Sequence, residues 1–219
     1  MGGDWIWRAL SGRAGFPISG RGRGMRIVLF GQKWLAAEVL KAITTLPSVD
    51  VVAVCPDTET PDVLCWTAFE LGIPLYNDMD ALPRCDMAVA AHCQRYIPTA
   101  VRSRCGLGVL AYHPLLLPRH RGRDAVKWAV AMRDPITGGT VYWTDDGADT
   151  GPIEAQEWCH VLPGETASEV WRRSLAPIGV RLLTETVARL ATGGRPRARP
   201  QDERIATWEP AFTTRKRKA

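Results

Sequence analysis

From position 25 onward the chain alternates short, continuous apolar runs with segments whose apolar residues recur at helical spacing. That alternation leaves few architectures open. The runs "RIVLF" (26–30), "VVAVC" (51–55), "MAVAAH" (87–92) and "GVLAYH" (108–113) are apolar without a polar face, as strands covered on both sides must be. Between them, "WLAAEVLKAI" (34–43) and residues 63–71, ending at Gly72, carry helical spacing. A short helix is expected in "IPTAVRSR" (97–104), with Pro98 in its first turn, and another in "DAVKWAVAM" (124–132). "GTVYWT" (139–144) reads as a strand, and "IEAQEWCHV" (153–161) alternates in polarity like a half-exposed edge strand. A long amphipathic helix is expected from about Thr166 to Leu190, kinked at Pro177. The pattern predicts a doubly wound, mostly parallel, Rossmann-like α/β sheet with an antiparallel edge. Loops at the C-terminal strand ends would then form the ligand crevice, and His113 and the loop after Thr144 are both expected there.

The 219 residues suffice for one substantial core, and no apolar run reaches the roughly 18 residues of a membrane-spanning helix. The six cysteines are scattered, with no CxxC pair and no zinc-like Cys/His spacing. They are expected to be free thiols in a reducing, cytoplasmic setting, without a metal. The net charge of +5 is uneven: residues 1–24 hold four Arg against one Asp, and residues 193–219 hold eight basic against three acidic residues. The intervening stretch has 16 basic and 19 acidic residues, so the basicity belongs to the ends. Residues 1–24 read as an extension outside the fold, 25–192 as a catalytic domain, and 193–219 as a basic tail in which "ATWEP" (206–210) could return to the sheet as a strap. No aromatic–basic interleaving supports nucleic-acid recognition.

His113 ends a buried run and is followed by Pro114, so the chain must turn there. Histidine is the commonest general acid/base, although a strand-end histidine is also a common structural residue. "TDDGADTGPI" (144–153) supplies carboxylates in a turn-rich loop, of which Asp149 is the one held in a constrained turn. A carboxylate beside an imidazole fixes its tautomer and suits proton transfer during attack on a carbonyl. The other candidates carry less. "GQKWLA" after the first strand lacks the glycines of a dinucleotide loop, and Ser168 and Ser174 have no nucleophile elbow. Arg119, His120 and Arg121 read as a solvated basic turn or an anion site, and Cys93 as a packing residue.

Together, "YHPLLLPRHRG" (112–122) and "GGTVYWTDDGADTGPI" (138–153) resemble the two motifs of the 10-formyltetrahydrofolate-dependent formyltransferases, and details of both are similar to the hydrolase domain of 10-formyltetrahydrofolate dehydrogenase. The resemblance covers about residues 25–192. It implies that His113 and Asp149 are catalytic and that 10-formyltetrahydrofolate is the co-substrate. It also implies that a pterin is held, largely by backbone groups, along Ala90, Ala91, His92 and Cys93 and along Val141, Tyr142, Thr144 and Asp145, with Ile97 and Pro98 as an apolar wall. The family's third catalytic residue, an asparagine, falls at Ala111, where an amide donor to the oxyanion is therefore missing; such a donor is worth roughly 2.7–4 kcal/mol. Leu115 replaces the motif's serine. The resemblance implies formyl transfer to a small-molecule or peptide amine, or alternatively to water, which gives tetrahydrofolate and formate. Retention of His113 and Asp149 argues against a catalytically silent folate-binding protein. Oligomeric state is left open, a homodimer included.

Overall fold

The computed structural model describes residues 24–212. The expected N-terminal extension lies, apart from Gly24, outside the described residues. Six strands form one sheet: β1 (Met25–Gly31), β2 (Val49–Pro56), β3 (Met87–Ala91), β4 (Val109–His113), β5 (Ile136–Trp143) and β6 (Ile153–His160). Their order is β2-β1-β3-β4-β5-β6. The pairings of β1 with β2 and β3, and of β3 with β4, are parallel, whereas β5 is antiparallel to both neighbours. The helices are α1 (Lys33–Thr44), α2 (Val63–Glu70), α3 (Thr99–Arg102), α4 (Ala125–Ala131), α5 (Ala167–Val170) and α6 (Ala176–Ala191). This is the doubly wound α/β sheet with an antiparallel edge that the apolar pattern predicts, and β6 is its half-exposed edge strand.

Strand alternation divides the core in two. Ile27, Leu29, Leu110, Tyr112, Val141 and Trp143 point to one face, which α1, α2 and α6 cover. Val28, Phe30, Ala88, Ala90, Val109, Ala111 and Tyr142 point to the other. There the cover comes from the four-residue α3 and from loops, and this is the face on which the ligand crevice is expected. Gly31 ends β1 because nothing larger fits: a β-carbon there would lie 1.9 Å from the carbonyl oxygen of Ala91, at a φ of +149°.

Three boundaries differ from the sequence reading for local reasons. Pro98 adopts an extended conformation (φ −61°, ψ 151°), so α3 begins after it rather than at position 97. β5 starts three residues earlier than the run "GTVYWT", at Ile136, where it pairs with His160 at the far end of β6. The long helix is not simply kinked at Pro177. Its irregularity precedes that residue as a π-helical turn over Trp171–Leu175, joining α5 to α6. Pro177 has no N–H to offer the preceding turn, and a widened turn relieves the clash of its ring. One carbonyl there is satisfied from the sheet, because the Tyr112 hydroxyl donates to Leu175 O at 2.6 Å.

A fourth correction concerns the crevice. Because β5 runs against β4, the loop after it leaves from the end opposite His113, with the Thr144 amide donating to Val109 O at 2.9 Å. The two loops therefore do not share a C-terminal sheet edge. The second loop reaches His113 only by folding back across the open face.

Leu183 is fully buried on α6 against the sheet. Leu183→Ala is expected to lower unfolding free energy by about 2–5 kcal/mol, read as a lowered urea midpoint with an unchanged m-value.

Candidate active site

The site is built on alternation along β4. Tyr112 and His113 are neighbours, so they emerge on opposite faces. Tyr112 is clamped on the helical face between two glycines. A β-carbon at Gly139 would lie 2.4 Å from its hydroxyl, and one at Gly179 would lie 2.7 Å from its ring. With Tyr112 so held, the His113 imidazole is directed into the crevice, where it is 5% exposed.

Both ring nitrogens of His113 are accounted for. Nε2 lies 2.8 Å from the carbonyl oxygen of His120, which only accepts, so Nε2 carries the proton there. Nδ1 faces Asp149 Oδ2 at 3.5 Å, beyond a formed hydrogen bond and close enough to tighten into one. Asp149 is itself held by two donors: the Gly122 amide gives to Oδ2 at 2.8 Å and the Tyr142 hydroxyl to Oδ1 at 2.6 Å. Burial and the Asp149 charge push the Tyr142 phenol well above its usual range, so it stays a donor. Asp149 has a φ of +57°, a left-handed conformation that costs a non-glycine residue on the order of 1 kcal/mol. Its neighbours supply the constraint: at Gly151 a β-carbon would lie 1.8 Å from Trp143 O, which packs the loop onto β5. The adjacent carboxylates point elsewhere. Asp145 accepts from the Gly147 amide at 3.0 Å and the Thr150 hydroxyl at 2.6 Å, while Asp146 reaches Thr99 and Arg102 on α3.

The structure brings together only some of the residues predicted for folate. Ala90, Ala111, Tyr142 and the buried Ile97 share the crevice face, with Cys93 packed at its margin. Thr144 opens the loop, and its hydroxyl is buried without a hydrogen-bond partner, so a ligand polar group could use it. Ala91 and Val141 point to the helical face, and Val141 is paired with both β4 and β6, leaving no group free for a ligand. His92, at a φ of +54°, turns toward Trp171, with ring centroids 5.9 Å apart. Burial, followed by the nearby Lys33 charge, holds its pKa below the usual value. The carboxylate of Asp145 is spent on its own loop.

The reading of residues 119–121 as a solvated basic turn or anion site is corrected. His120 and Arg121 are buried, and the partners of the Arg121 side chain and one acidic partner of the His120 ring come from the segment expected to be a basic tail. Arg121 donates to Gln201 and Glu203, with Nη2 2.6 Å from Glu203 Oε1. His120 lies between Asp134 (2.8 Å) and Glu209 (3.2 Å). Residues 199–209 therefore form a strap: Arg199 bridges to Ile153, and Trp208 to Arg121. The signal was present in the sequence, because all the acidic residues of this basic segment, Asp202, Glu203 and Glu209, lie in the strap.

An imidazole buried in a crevice and facing a carboxylate held by an amide and a phenol is equipped to move a proton to or from a reacting carbonyl centre. This fold is that of the formyl transferases. Residues 76–187, just over half of the chain, match the formyl transferase family, and the chain belongs to it. Mouse mitochondrial 10-formyltetrahydrofolate dehydrogenase is 42% identical over 124 residues, 57% of this chain and 13% of that protein. The cytosolic 10-formyltetrahydrofolate dehydrogenase of Xenopus laevis is 33% identical over 203 residues, 85% of this chain and 22% of that protein. The chain thus spans less than a quarter of the length of these relatives. An N-formyltransferase from Helicobacter canadensis, solved in complex with folinic acid and dTDP-3-aminofucose, superposes with a TM-score of 0.71 at 16% identity, covering 84% of this chain and 70% of that one.

Burial pushes the Cys93 thiol up to about 12. At pH 8 only about one thiol in ten thousand would be ionised, so iodoacetamide should label Cys93 far more slowly than free cysteine, read by peptide mass spectrometry.

Proposed function

We propose that the crevice binds 10-formyltetrahydrofolate and that His113 and Asp149 catalyse loss of its formyl group, with water as the acceptor. The observation that carries the choice of acceptor is Ala111. It sits on the crevice face two residues before His113, between Ala90 and Tyr142 in the sheet, where the motif resemblance calls for an asparagine. The similarity to 10-formyltetrahydrofolate dehydrogenases points the same way.

The steps follow from the site. Nε2 of His113 is tied to a backbone carbonyl, so the nitrogen available for proton exchange is Nδ1. As water adds to the formyl carbon, Nδ1 takes its proton, and Asp149 opposite stabilises the resulting imidazolium. The carbon–N10 bond then breaks, N10 takes the proton, and formate and tetrahydrofolate leave. Tyr142 and the Gly122 amide keep the Asp149 carboxylate from rotating away during the cycle. Ala90, Ala111 and Ile97 offer an apolar wall to a flat heterocycle, and the unpartnered Thr144 hydroxyl offers it a polar contact. Transfer to an amine is the second reading. The same histidine–aspartate pair can deprotonate an amine, and the superposable Helicobacter canadensis protein is an N-formyltransferase.

With formyl-labelled 10-formyltetrahydrofolate, stoichiometric formate and tetrahydrofolate are expected without an added amine. Tetrahydrofolate release only on addition of an amine, with the label recovered in a formylated amine and not in formate, would overturn the hydrolytic reading in favour of transfer. His113→Ala and Asp149→Asn should each lower kcat by about 10²–10⁴-fold while folate binding, read by fluorescence quenching, persists. Ala111→Asn restores an amide beside the reacting centre and should raise kcat, by up to about 10²-fold if it reaches the oxyanion.

A further inference from the structure

The strap formed by residues 199–209 contacts both loops that carry the proposed catalytic pair. On one side, the Thr207 hydroxyl accepts from the His120 amide at 2.8 Å, and the Thr207 amide donates to Pro118 O at 3.1 Å. This holds the loop whose His120 carbonyl receives His113 Nε2–H. On the other side, Gln201 Nε2 donates to the carbonyl oxygens of Asp149 at 2.8 Å and Gly151 at 2.7 Å. Those two bonds start at the left-handed residue itself and span the turn that follows it, residues 150–151. Gln201 is oriented in turn by Arg121, whose Nε and Nη2 donate to its Oε1 at 3.1 and 2.8 Å. Arg121 is 2% exposed and immediately precedes Gly122, whose amide holds the Asp149 carboxylate. A closed circuit results: the Arg121 side chain fixes Gln201, Gln201 fixes the Asp149 backbone, and the residue after Arg121 fixes the Asp149 carboxylate.

We propose that Gln201 is a positioning residue for the reaction, holding Asp149 in the conformation that faces His113, and that the strap is thereby part of the active-site apparatus. This inference rests on the reaction proposed above. An amide is the side chain the place requires. Its oxygen receives a buried guanidinium while its nitrogen supplies two hydrogens to two backbone carbonyls, a division of labour that neither a carboxylate nor an ammonium can provide.

Gln201→Glu separates the two halves of that role. A carboxylate keeps, and strengthens, the contact with Arg121, so the strap stays anchored, but it has no hydrogen for the Asp149 and Gly151 carbonyls. The expected result is a kcat lowered on the order of ten- to a hundred-fold with KM for the folate and melting temperature near wild type. Arg204→Ala, at an exposed strap residue paired among the described residues only with Asp202, should leave all three unchanged. Hydrogen exchange at the Gly122 amide, followed by NMR, reads the position of the Asp149 carboxylate without turnover and should accelerate in Gln201→Glu. Wild-type kcat in Gln201→Glu, or wild-type protection of Gly122, would overturn the proposal. Should the wild-type chain release no tetrahydrofolate, the reading of the reaction fails, and Gly122 exchange alone decides whether Gln201 positions Asp149.

Discussion

The site depends on how firmly one side chain is held on the wrong face of the sheet. Tyr112 fills a slot between Gly139 on β5 and Gly179 on α6, and its hydroxyl donates to Leu175 O in the π-helical turn. Either glycine replaced by alanine would put a methyl carbon within 2.4–2.7 Å of the Tyr112 phenol, well inside van der Waals contact. Since consecutive residues of a strand alternate faces, a locked Tyr112 leaves His113 no choice but the crevice. The widened turn before Pro177 belongs to the same arrangement, because its last residue, Leu175, carries the carbonyl that receives that hydroxyl. A local irregularity in a helix on one face thus helps to set the angle of an imidazole on the other.

The second half of the site has no strand beneath it. Asp149 lies in a loop that starts from the opposite end of the sheet and takes a conformation its side chain disfavours. Hydrogen bonds from three separate segments hold it there: Gly122 after β4, Tyr142 on β5 and Gln201 on the strap. The buried polar side chains of the loop after β4 are the reason the strap is fixed. Arg121 and His120 are removed from water and must find partners, and Gln201, Glu203 and Glu209 are what the strap delivers. What composition presents as a basic end is, through residue 209, a set of acceptors placed against buried donors.

Much of this was legible in the residues themselves. The unbroken apolar runs made the sheet parallel and covered, the polar alternation of 153–160 made β6 an edge, and Pro114 after a buried run marked His113 as the end of its strand. The constrained turn before Gly151 singled out Asp149 over its neighbours, and in the structure Asp145 and Asp146 turn to bonds of their own. Other features were not legible. Nothing in "GTVYWT" tells that its strand is antiparallel, so the direction from which Asp149 arrives could not be read. Ala91 and Val141 were grouped with the crevice although their side chains face the helices, because the face of a strand follows from register with its neighbours. The Arg-His-Arg cluster resembled a solvated turn because the partners of its buried Arg121 lie some eighty residues away.

What the sequence determined by itself was local: which segments are strands and helices, and which histidine and carboxylate end a buried strand or sit in a constrained turn. Those properties follow from side-chain periodicity and from the limits that proline and glycine place on the backbone, and they need no knowledge of the rest of the chain. The tertiary structure decided the pairing. It placed the imidazole and the carboxylate 3.5 Å apart from opposite ends of the sheet, turned the phenol and the amide onto the carboxylate, and bound the end of the fold across both loops. Those contacts join residues far apart in the chain, and their geometry exists only once the sheet register and the buried charges have fixed where each segment lies.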